Sequence, residues 1–231
     1  MRKISPDNVR DDFKRQLADL TTFYNTGLSA FSTKNEKSTL TEHSLLAAAV
    51  SWEGFVSEIF IAFINRDATQ FKEHLRLSLE AYVKKSSKHE QIYNAFGSLS
   101  FSKHLNKADV LNLADSVGNN ITFPCFEELQ RKANAWLIEE HAEKFSNRSD
   151  QQKVVINSLI AMRNHIAHRS KRSLDAMNEV LSRGALQPTG IRRLDNRFSN
   201  VGAWLKATPA GGNETRFATI LRMLNEIGNN F

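Results

Sequence analysis

The chain has 231 residues, 41% of them apolar and 24% charged, which is the composition of a globular protein large enough to bury a core. Its single cysteine, Cys125, excludes an intramolecular disulfide framework and a cysteine-rich zinc site. The N-terminus lacks an apolar signal segment, and no apolar run approaches the ~18 residues of a membrane span. We therefore expect a cytoplasmic protein without a membrane partner.

Helical periodicity organises the N-terminal half of the chain. Four prolines and ten glycines are few, which favours long helices over strands. The pattern predicts a first helix over residues 7–31, a polar loop over 32–38 and a strongly apolar helix to about Ile64. Thr39, followed by Glu42 three residues later, has the pattern of a capping box that would begin this apolar helix. Further helices are predicted over residues 69–85, 88–96 and 107–117.

The C-terminal half continues in the same way. Pro124 is suited to the first turn of a helix that we expect to run to Phe145, and Ser149 or Asp150 would cap the next helix over 151–168. After it we predict a short helix over 173–183, a Gly/Pro/Arg-rich stretch over 184–212 and a last helix over 213–227. The fold class is therefore all-α, with a helical bundle over residues 1–172 and a basic extension over 173–231 that packs on or near it.

The positive charge is confined to the C-terminal part of the chain. Residues 1–162 carry 20 Lys and Arg against 20 Asp and Glu, whereas residues 163–231 carry 11 against 5, which accounts for the whole net charge of +6. Such a region is typical of a surface that binds a polyanion, most often nucleic acid. A basic tail that is merely solvated explains the charge equally well.

The helix predicted over 151–168 has two apolar faces. At about 100° per residue, one core stripe is formed by Val155, Leu159, Met162 and Ile166. A second stripe is formed by Ile156, Ile160, Arg163 and Ala167. Arg163 therefore takes the place of an aliphatic residue, and a buried guanidinium is costly unless an anion pairs with it. We expect a protein carboxylate or a ligand phosphate beside it.

Asn164 and His168, four residues apart, share a third face of the same helix. Histidine exchanges protons near neutral pH, and arginine binds phosphate oxygens with two parallel hydrogen bonds. In one ideal helix, however, Arg163 and His168 point about 140° apart. Either the helix is distorted here or two copies of the chain pool these residues. A structural alternative is that Arg and His near a helix C-terminus only complement its dipole.

Two segments resemble a known family. The hexapeptide from Arg163 to His168, RNHIAH, resembles the R-x(4–6)-H motif of the HEPN superfamily, in which a polar residue typically follows the arginine. The stretch from Leu45 to Val56, LLAAAVSWEGFV, resembles the helix of the RiboL-PSP branch that carries an aromatic–acid pair, here Trp52 and Glu53. The resemblance covers roughly residues 40–172.

The resemblance implies an endoribonuclease that needs no metal or other cofactor, and the poor convergence of Arg163 and His168 within one helix favours a homodimer. In that mechanism a 2′-hydroxyl attacks the adjacent phosphate and leaves a 2′,3′-cyclic phosphate and a 5′-hydroxyl. It implies Arg163, Asn164 and His168 as catalytic residues, and we expect Glu53 and His165 to support the site. Glu53 lies on a largely apolar row of its helix, so it is a candidate partner of Arg163; a salt bridge that only joins two helices is the alternative. A toxin–antitoxin or antiviral-defence setting, with an antitoxin or regulatory partner, fits this family.

The basic residues beyond the motif are the predicted RNA-binding residues: Arg169, Arg172, Arg192, Arg193 and Arg197. Phe198 and Trp204 lie among these charges, where they could stack on unpaired bases or simply hold the segment against the bundle. Three other functions remain open: a HEPN-like dimerisation scaffold, a nucleic-acid-binding regulator that does not cut, and a nucleotidyl-accepting antitoxin partner.

Overall fold

The computed structural model describes residues 3–114, 121–193 and 200–231, and this part of the chain contains helices and no strands. The predicted all-α class is confirmed. The N-terminal helices are α1 (Pro6–Ala30), α2 (Lys34–Arg66), α3 (Thr69–Val83), α4 (Ser87–Phe96) and α5 (Lys107–Ala114). The remaining helices are α6 (Phe126–Trp136), α7 (Glu139–Ser146), α8 (Asp150–His168), α9 (Lys171–Leu181), α10 (Val201–Leu205) and α11 (Arg216–Gly228), with a 3-10 helix over Gly184–Thr189 between α9 and α10.

Helix α2 is the centre of the core. Every residue from Ile59 to Asn65 is buried, because neighbouring helices surround this end of α2 on all sides. The Phe60 ring packs on Phe145 of α7, with 4.7 Å between ring centroids. Among the described residues, α2 alone is long and apolar enough to cross a membrane by length and composition, and 61% of its most apolar window is buried inside the bundle. Core packing therefore accounts for its hydropathy.

The C-terminal end of the chain belongs to the same core as the N-terminal helices. Phe13 of α1 stacks on Phe55 of α2 with 4.3 Å between centroids, and the C-terminal residue Phe231 contacts Phe55 at 5.5 Å and Phe145 at 4.6 Å. Helix α11 is buried along Phe217, Ile220, Leu224 and Ile227. Residues after 172 thus complete the packing around α2.

The predicted start of α2 was wrong. The helix begins at Lys34, and its capping box is formed by Thr33 and Glu36, with Thr33 Oγ1 accepting from the Glu36 N–H at 3.2 Å and Glu36 Oε2 accepting from the Thr33 N–H at 2.9 Å. Residues 34–38 are therefore helical. Thr39 and Glu42 match the same sequence pattern, but the Glu42 carboxylate accepts hydrogen bonds from Arg169 and from the backbone N–H of Gly202. Because a threonine followed three residues later by a glutamate occurs twice here, the sequence alone does not show which of the two threonines caps the helix.

The single helix predicted from Pro124 to Phe145 was also wrong, because the chain breaks at Leu137 and Ile138 into α6 and α7. Both residues have extended backbone angles, with ψ of 148° at Leu137 and 154° at Ile138. Trp136, Leu137 and Phe145 are all buried. The change of direction lets α6 and α7 each turn an apolar face to the core, which one straight helix could not do.

The helix predicted over 151–168 is confirmed as α8. Ser149 caps it, since its Oγ accepts from the Gln152 N–H at 3.2 Å and the Gln152 side chain returns to the Ser149 N–H. The helix ends at His168, and its C-cap is Arg169, a non-glycine residue with φ of 49° in the left-handed region. In the stretch 184–212 the structure has a 3-10 helix and α10, where no element was predicted.

Candidate active site

Helix α8 lies antiparallel to α2, as two ion pairs between them show. Arg163 of α8 pairs with Glu53 of α2, and Arg169, which follows α8, pairs with Glu42, which lies earlier in α2. Val155, Leu159, Met162 and Ile166 are buried, as the first stripe predicts. Along the second stripe the exposure increases towards the end of α8. Ile156 is fully buried, Ile160 and Arg163 are half-buried, and Ala167 is exposed. The motif therefore lies where α8 emerges at the surface.

Arg163 lies at the edge of the α2–α8 contact rather than inside the core. Its Nη2 is 3.4 Å from Glu53 Oε2, and its Nη1 donates to Asn164 Oδ1 at 3.0 Å. The side chains of Arg163 and Glu53 keep 34% and 29% of their surface exposed. The expected carboxylate partner is present, but the expected burial is not. The guanidinium is held in position while part of it still faces solvent.

Asn164 and His168 line an open groove of about 570 Å³ between α8 and α9. The His168 side chain is exposed at the mouth of this groove. Arg172 of α9 and Arg183 after it also line the groove, and the charge of Arg183 acts on Glu127. A polyanion that lies along the groove would meet these two charges.

His165 lies apart from His168 and is almost completely buried, with 3% of its surface exposed. Its Nδ1 is 3.3 Å from Ser173 Oγ of α9. It lines a second, smaller groove together with Glu42 and Arg169. His165 is thus buried between α8 and α9, and it lines a different groove from His168.

The predicted RNA-binding arginines are in different surroundings. Arg172 is exposed in the α8–α9 groove, whereas Arg169 is engaged with Glu42. Arg192 donates to the Ser182 carbonyl and to Gln187 Oε1, both at 3.1 Å, and the Arg193 backbone N–H donates to the Leu181 carbonyl at 2.8 Å. Arg197 and Phe198 lie outside the described residues.

The suggestion that Trp204 stacks on bases is wrong, since only 8% of its surface is exposed and the Arg216 guanidinium lies over its ring at 5.0 Å. Lys206, another cation of this segment, donates to Ser38 Oγ at 2.8 Å and to the Lys34 carbonyl. Trp204 and Lys206 therefore attach the C-terminal segment to the bundle.

Sequence reasoning missed two polar residues that line the groove, Glu127 and Asn157. The buried Asn157 amide accepts from the Phe126 N–H through Oδ1 at 2.7 Å and donates through Nδ2 to both carboxylate oxygens of Glu127 at 3.1 Å. Desolvation opposes ionisation of Glu127, but hydrogen bonds from its own backbone N–H, Asn157 and Cys125, together with the charge of Arg183, hold its pKa below the ordinary range. No sequence signal joins these residues, which are 30 positions apart.

A comparison with family models matches the sequence of the chain to one family. Residues 11–184 match the family model described as RiboL-PSP-HEPN. No curated protein and no solved structure matches the chain. In residues 3–114, 121–193 and 200–231, no three His, Cys, Asp or Glu side chains are grouped closely enough to hold a metal ion together.

Proposed function

The chain belongs to the RiboL-PSP-HEPN family of the HEPN superfamily, and from that premise we propose that it is a metal-independent endoribonuclease. A HEPN domain is commonly a ribonuclease, and this membership indicates a nuclease-type, RNA-related or toxin-type function. The observation that carries the proposal is the arrangement at the end of α8. There Glu53 and Asn164 hold a half-exposed Arg163, and His168 is exposed on the neighbouring face.

These residues suit cleavage by the neighbouring 2′-hydroxyl. The 2′-oxygen forms a bond to phosphorus, the bond from phosphorus to the 5′-oxygen breaks, and the products are a 2′,3′-cyclic phosphate and a 5′-hydroxyl. The 2′-hydroxyl loses a proton and the leaving 5′-oxygen gains one, and His168 is assigned to this proton exchange. Arg163 stabilises the charge that builds on the phosphate oxygens, and Asn164 keeps the guanidinium oriented.

The active form is proposed to be a two-fold homodimer that brings two copies of α8 into one cleft. Arg163 and His168 lie on different faces of α8, so a single chain presents them poorly to one phosphate. Exposed apolar residues on both helices form a candidate patch: Val50 of α2, one turn from Glu53, is 61% exposed, and Ala47 of α2 and Ala167 of α8, one turn from Arg163, are also exposed. Burying this patch against its own symmetry mate would provide hydrophobic stabilisation and place the two motifs together.

We expect the protein to cut labelled RNA in the presence of EDTA. The substitutions His168→Ala and Arg163→Ala should each lower the cleavage rate by about 10²–10⁴-fold. Matched controls are His89→Ala, an exposed histidine on α4, and Arg131→Ala, an exposed arginine on α6, and both should cut like the wild type. Circular dichroism verifies that each variant folds. If the wild type binds RNA without cutting it, the protein is a nucleic-acid-binding regulator and the proposed ribonuclease function is wrong. If His165→Ala loses activity and His168→Ala does not, the assignment of the catalytic histidine is wrong.

We further propose a toxin or defence role with an antitoxin or other regulatory partner, which the toxin-type function suggested by the family membership supports. Expression of the wild-type chain should arrest bacterial growth, and expression of His168→Ala should not. Equal growth in both strains at equal protein levels would contradict the toxin role.

A further inference from the structure

The turn that joins α3 to α4 concentrates positive charge. Lys84, Lys85 and Lys88 lie within five residues of one another, and all three side chains are exposed. The Lys85 N–H donates to the Tyr82 carbonyl at 3.2 Å, which closes the turn, and Val83 beside it is buried. The local backbone therefore holds three ammonium groups together at the surface.

These lysines differ from other exposed cations of the described chain, many of which pair with an acid one helical turn away. Such pairs are Asp12–Arg15, Glu128–Arg131 and Arg222–Glu226. Among the described residues, none of the three lysines of the turn is in an ion pair. The acid that precedes them, Glu80, is bound by Arg76. Glu90 follows Lys88 by two positions, so it points to another side of α4.

Exposed aromatic rings adjoin this charge. Tyr82, in the last turn of α3, is 62% exposed, and Phe96, the last residue of α4, is 87% exposed. Lys88, Ile92 and Phe96 recur at intervals of four, so they form a row about 12 Å long on one side of α4. No residue of α4 is buried. The row is therefore open from the lysine at one end to the ring at the other.

The net charge of the sequence does not reveal this surface. Residues 1–162 contain equal numbers of cations and acids, and the excess of cations lies in residues 163–231. Several cations of that C-terminal region are used within the chain, however, since Arg192 donates to the Ser182 carbonyl and Lys206 to Ser38 Oγ. Positive charge that is free to meet a polyanion therefore also lies at the α3–α4 turn.

We propose that this turn binds a single-stranded part of the RNA substrate, with phosphates on the lysines and bases stacked on the rings. The surface, called the α3–α4 surface, consists of Tyr82, Lys84, Lys85, Lys88 and Phe96. Lysine is depleted in protein interfaces, so this combination of charges and exposed rings fits a nucleic acid better than a protein. The inference rests on the proposed ribonuclease function and adds a substrate-binding surface outside the catalytic helix.

The test measures the anisotropy of labelled oligouridine bound to the full chain carrying His168→Ala, so that the RNA stays intact. The triple change Lys84→Ala, Lys85→Ala and Lys88→Ala should weaken binding about tenfold at low salt. It should also reduce the slope of log affinity against log salt by about 2, because each single-strand phosphate contact contributes about 0.7. The charge-matched control replaces three cations that already have acid partners and should bind like the parent: Arg15→Ala, Arg131→Ala and Arg222→Ala.

The stacking part of the proposal has its own variant. Tyr82→Ala should weaken oligouridine binding about fivefold or more and leave the salt slope unchanged, because a stacked base is not a phosphate contact. Phe23→Ala is the control, since Phe23 of α1 has the same 62% exposure and lies outside the α3–α4 surface. Circular dichroism verifies that each variant folds.

Cleavage assays with the intact motif separate the two proposals. The lysine triple variant should raise KM and keep kcat, because it removes binding away from the reacting bond. If the wild type cuts RNA and the lysine variant matches the charge-matched control in affinity and salt slope, the α3–α4 surface is overturned and the ribonuclease function stands. RNA binding that depends on the three lysines, in a chain that does not cut RNA, supports the surface and overturns the proposed catalysis.

Discussion

Arg163 lies at the edge of the core, where its ion pair with Glu53 is partly exposed to solvent. Its ion pair with Glu53 has 3.4 Å between Nη2 and Oε2 and is about one-third exposed on each side. Partly exposed pairs of this kind contribute about 0–1 kcal/mol to stability. The pair therefore matters more for the orientation of the guanidinium than for folding. The arrangement suits the proposed contact of Arg163 with a phosphate, because the guanidinium would not have to reorganise.

His141 is the residue for which we predict a pH effect on stability. It is 8% exposed and stacks on Phe63 with 4.2 Å between ring centroids. Burial lowers its pKa below the ordinary value of 6.5; Glu140 and Asp67 oppose this shift, and Lys144 and Arg66 add to it. In the unfolded chain the histidine takes up a proton as the pH falls through about 6.5, before the folded protein does. Stability should therefore decrease from pH 7 towards pH 5.

The variant His141→Phe keeps the ring stack and has no proton to bind, so its free energy of unfolding should depend less on pH over this range. Urea unfolding at pH 7 and pH 5 measures the effect. His89→Gln, at an exposed position on α4, is the control and should keep the wild-type slope. An identical slope in His141→Phe would show that other groups cause the pH dependence.

At the scale of single elements, the start of α2 provides a direct comparison between two equivalent sequence patterns. Thr33 and Thr39 are each followed by a glutamate three residues later, but only Thr33 caps the helix. Thr33→Ala should lower the free energy of unfolding by about 1 kcal/mol, because the Glu36 N–H loses its acceptor. Thr39→Ala, at an exposed position inside α2, should change it by less than about 0.5 kcal/mol. The reverse order in chemical denaturation would contradict the observed start of α2.

At the scale of the whole molecule, the C-terminal segment is fastened to α2 at Gly202. A Cβ atom there would lie 1.9 Å from the Ser38 carbonyl oxygen and 2.9 Å from Glu42 Cγ. The first of these is a backbone atom, so the clash cannot be relieved by a side-chain rotation. Gly202→Ala should therefore lower stability by about 1–3 kcal/mol or more. Gly184→Ala is the control, since no atom lies within 4 Å of the added Cβ, and its melting temperature should stay near that of the wild type.

The proposed dimer is the other property of the whole molecule that can be tested. Val50→Lys places a charge in the candidate apolar patch, so it should shift the protein towards monomers in analytical ultracentrifugation and lower RNA cleavage in parallel. Phe23→Lys is a control of matched exposure, because Phe23 of α1 is 62% exposed and Val50 is 61% exposed. A wild-type monomer with full activity at micromolar concentration would rule the dimer out.

The sequence by itself determined the helical class, most of the helix boundaries, the cap and apolar stripe of α8 and the family to which the chain belongs. Periodicity, caps and short motifs involve residues within a few helical turns of one another, so they can be recognised from the sequence alone. The tertiary structure alone decided that α6 and α7 are separate, that Glu42 binds Arg169 instead of capping α2, and that Arg163 is half-exposed. It also decided that Glu127, Asn157 and His168 share one groove. Each of these depends on which helices pack side by side, and the contacts involved join residues that are far apart in the chain.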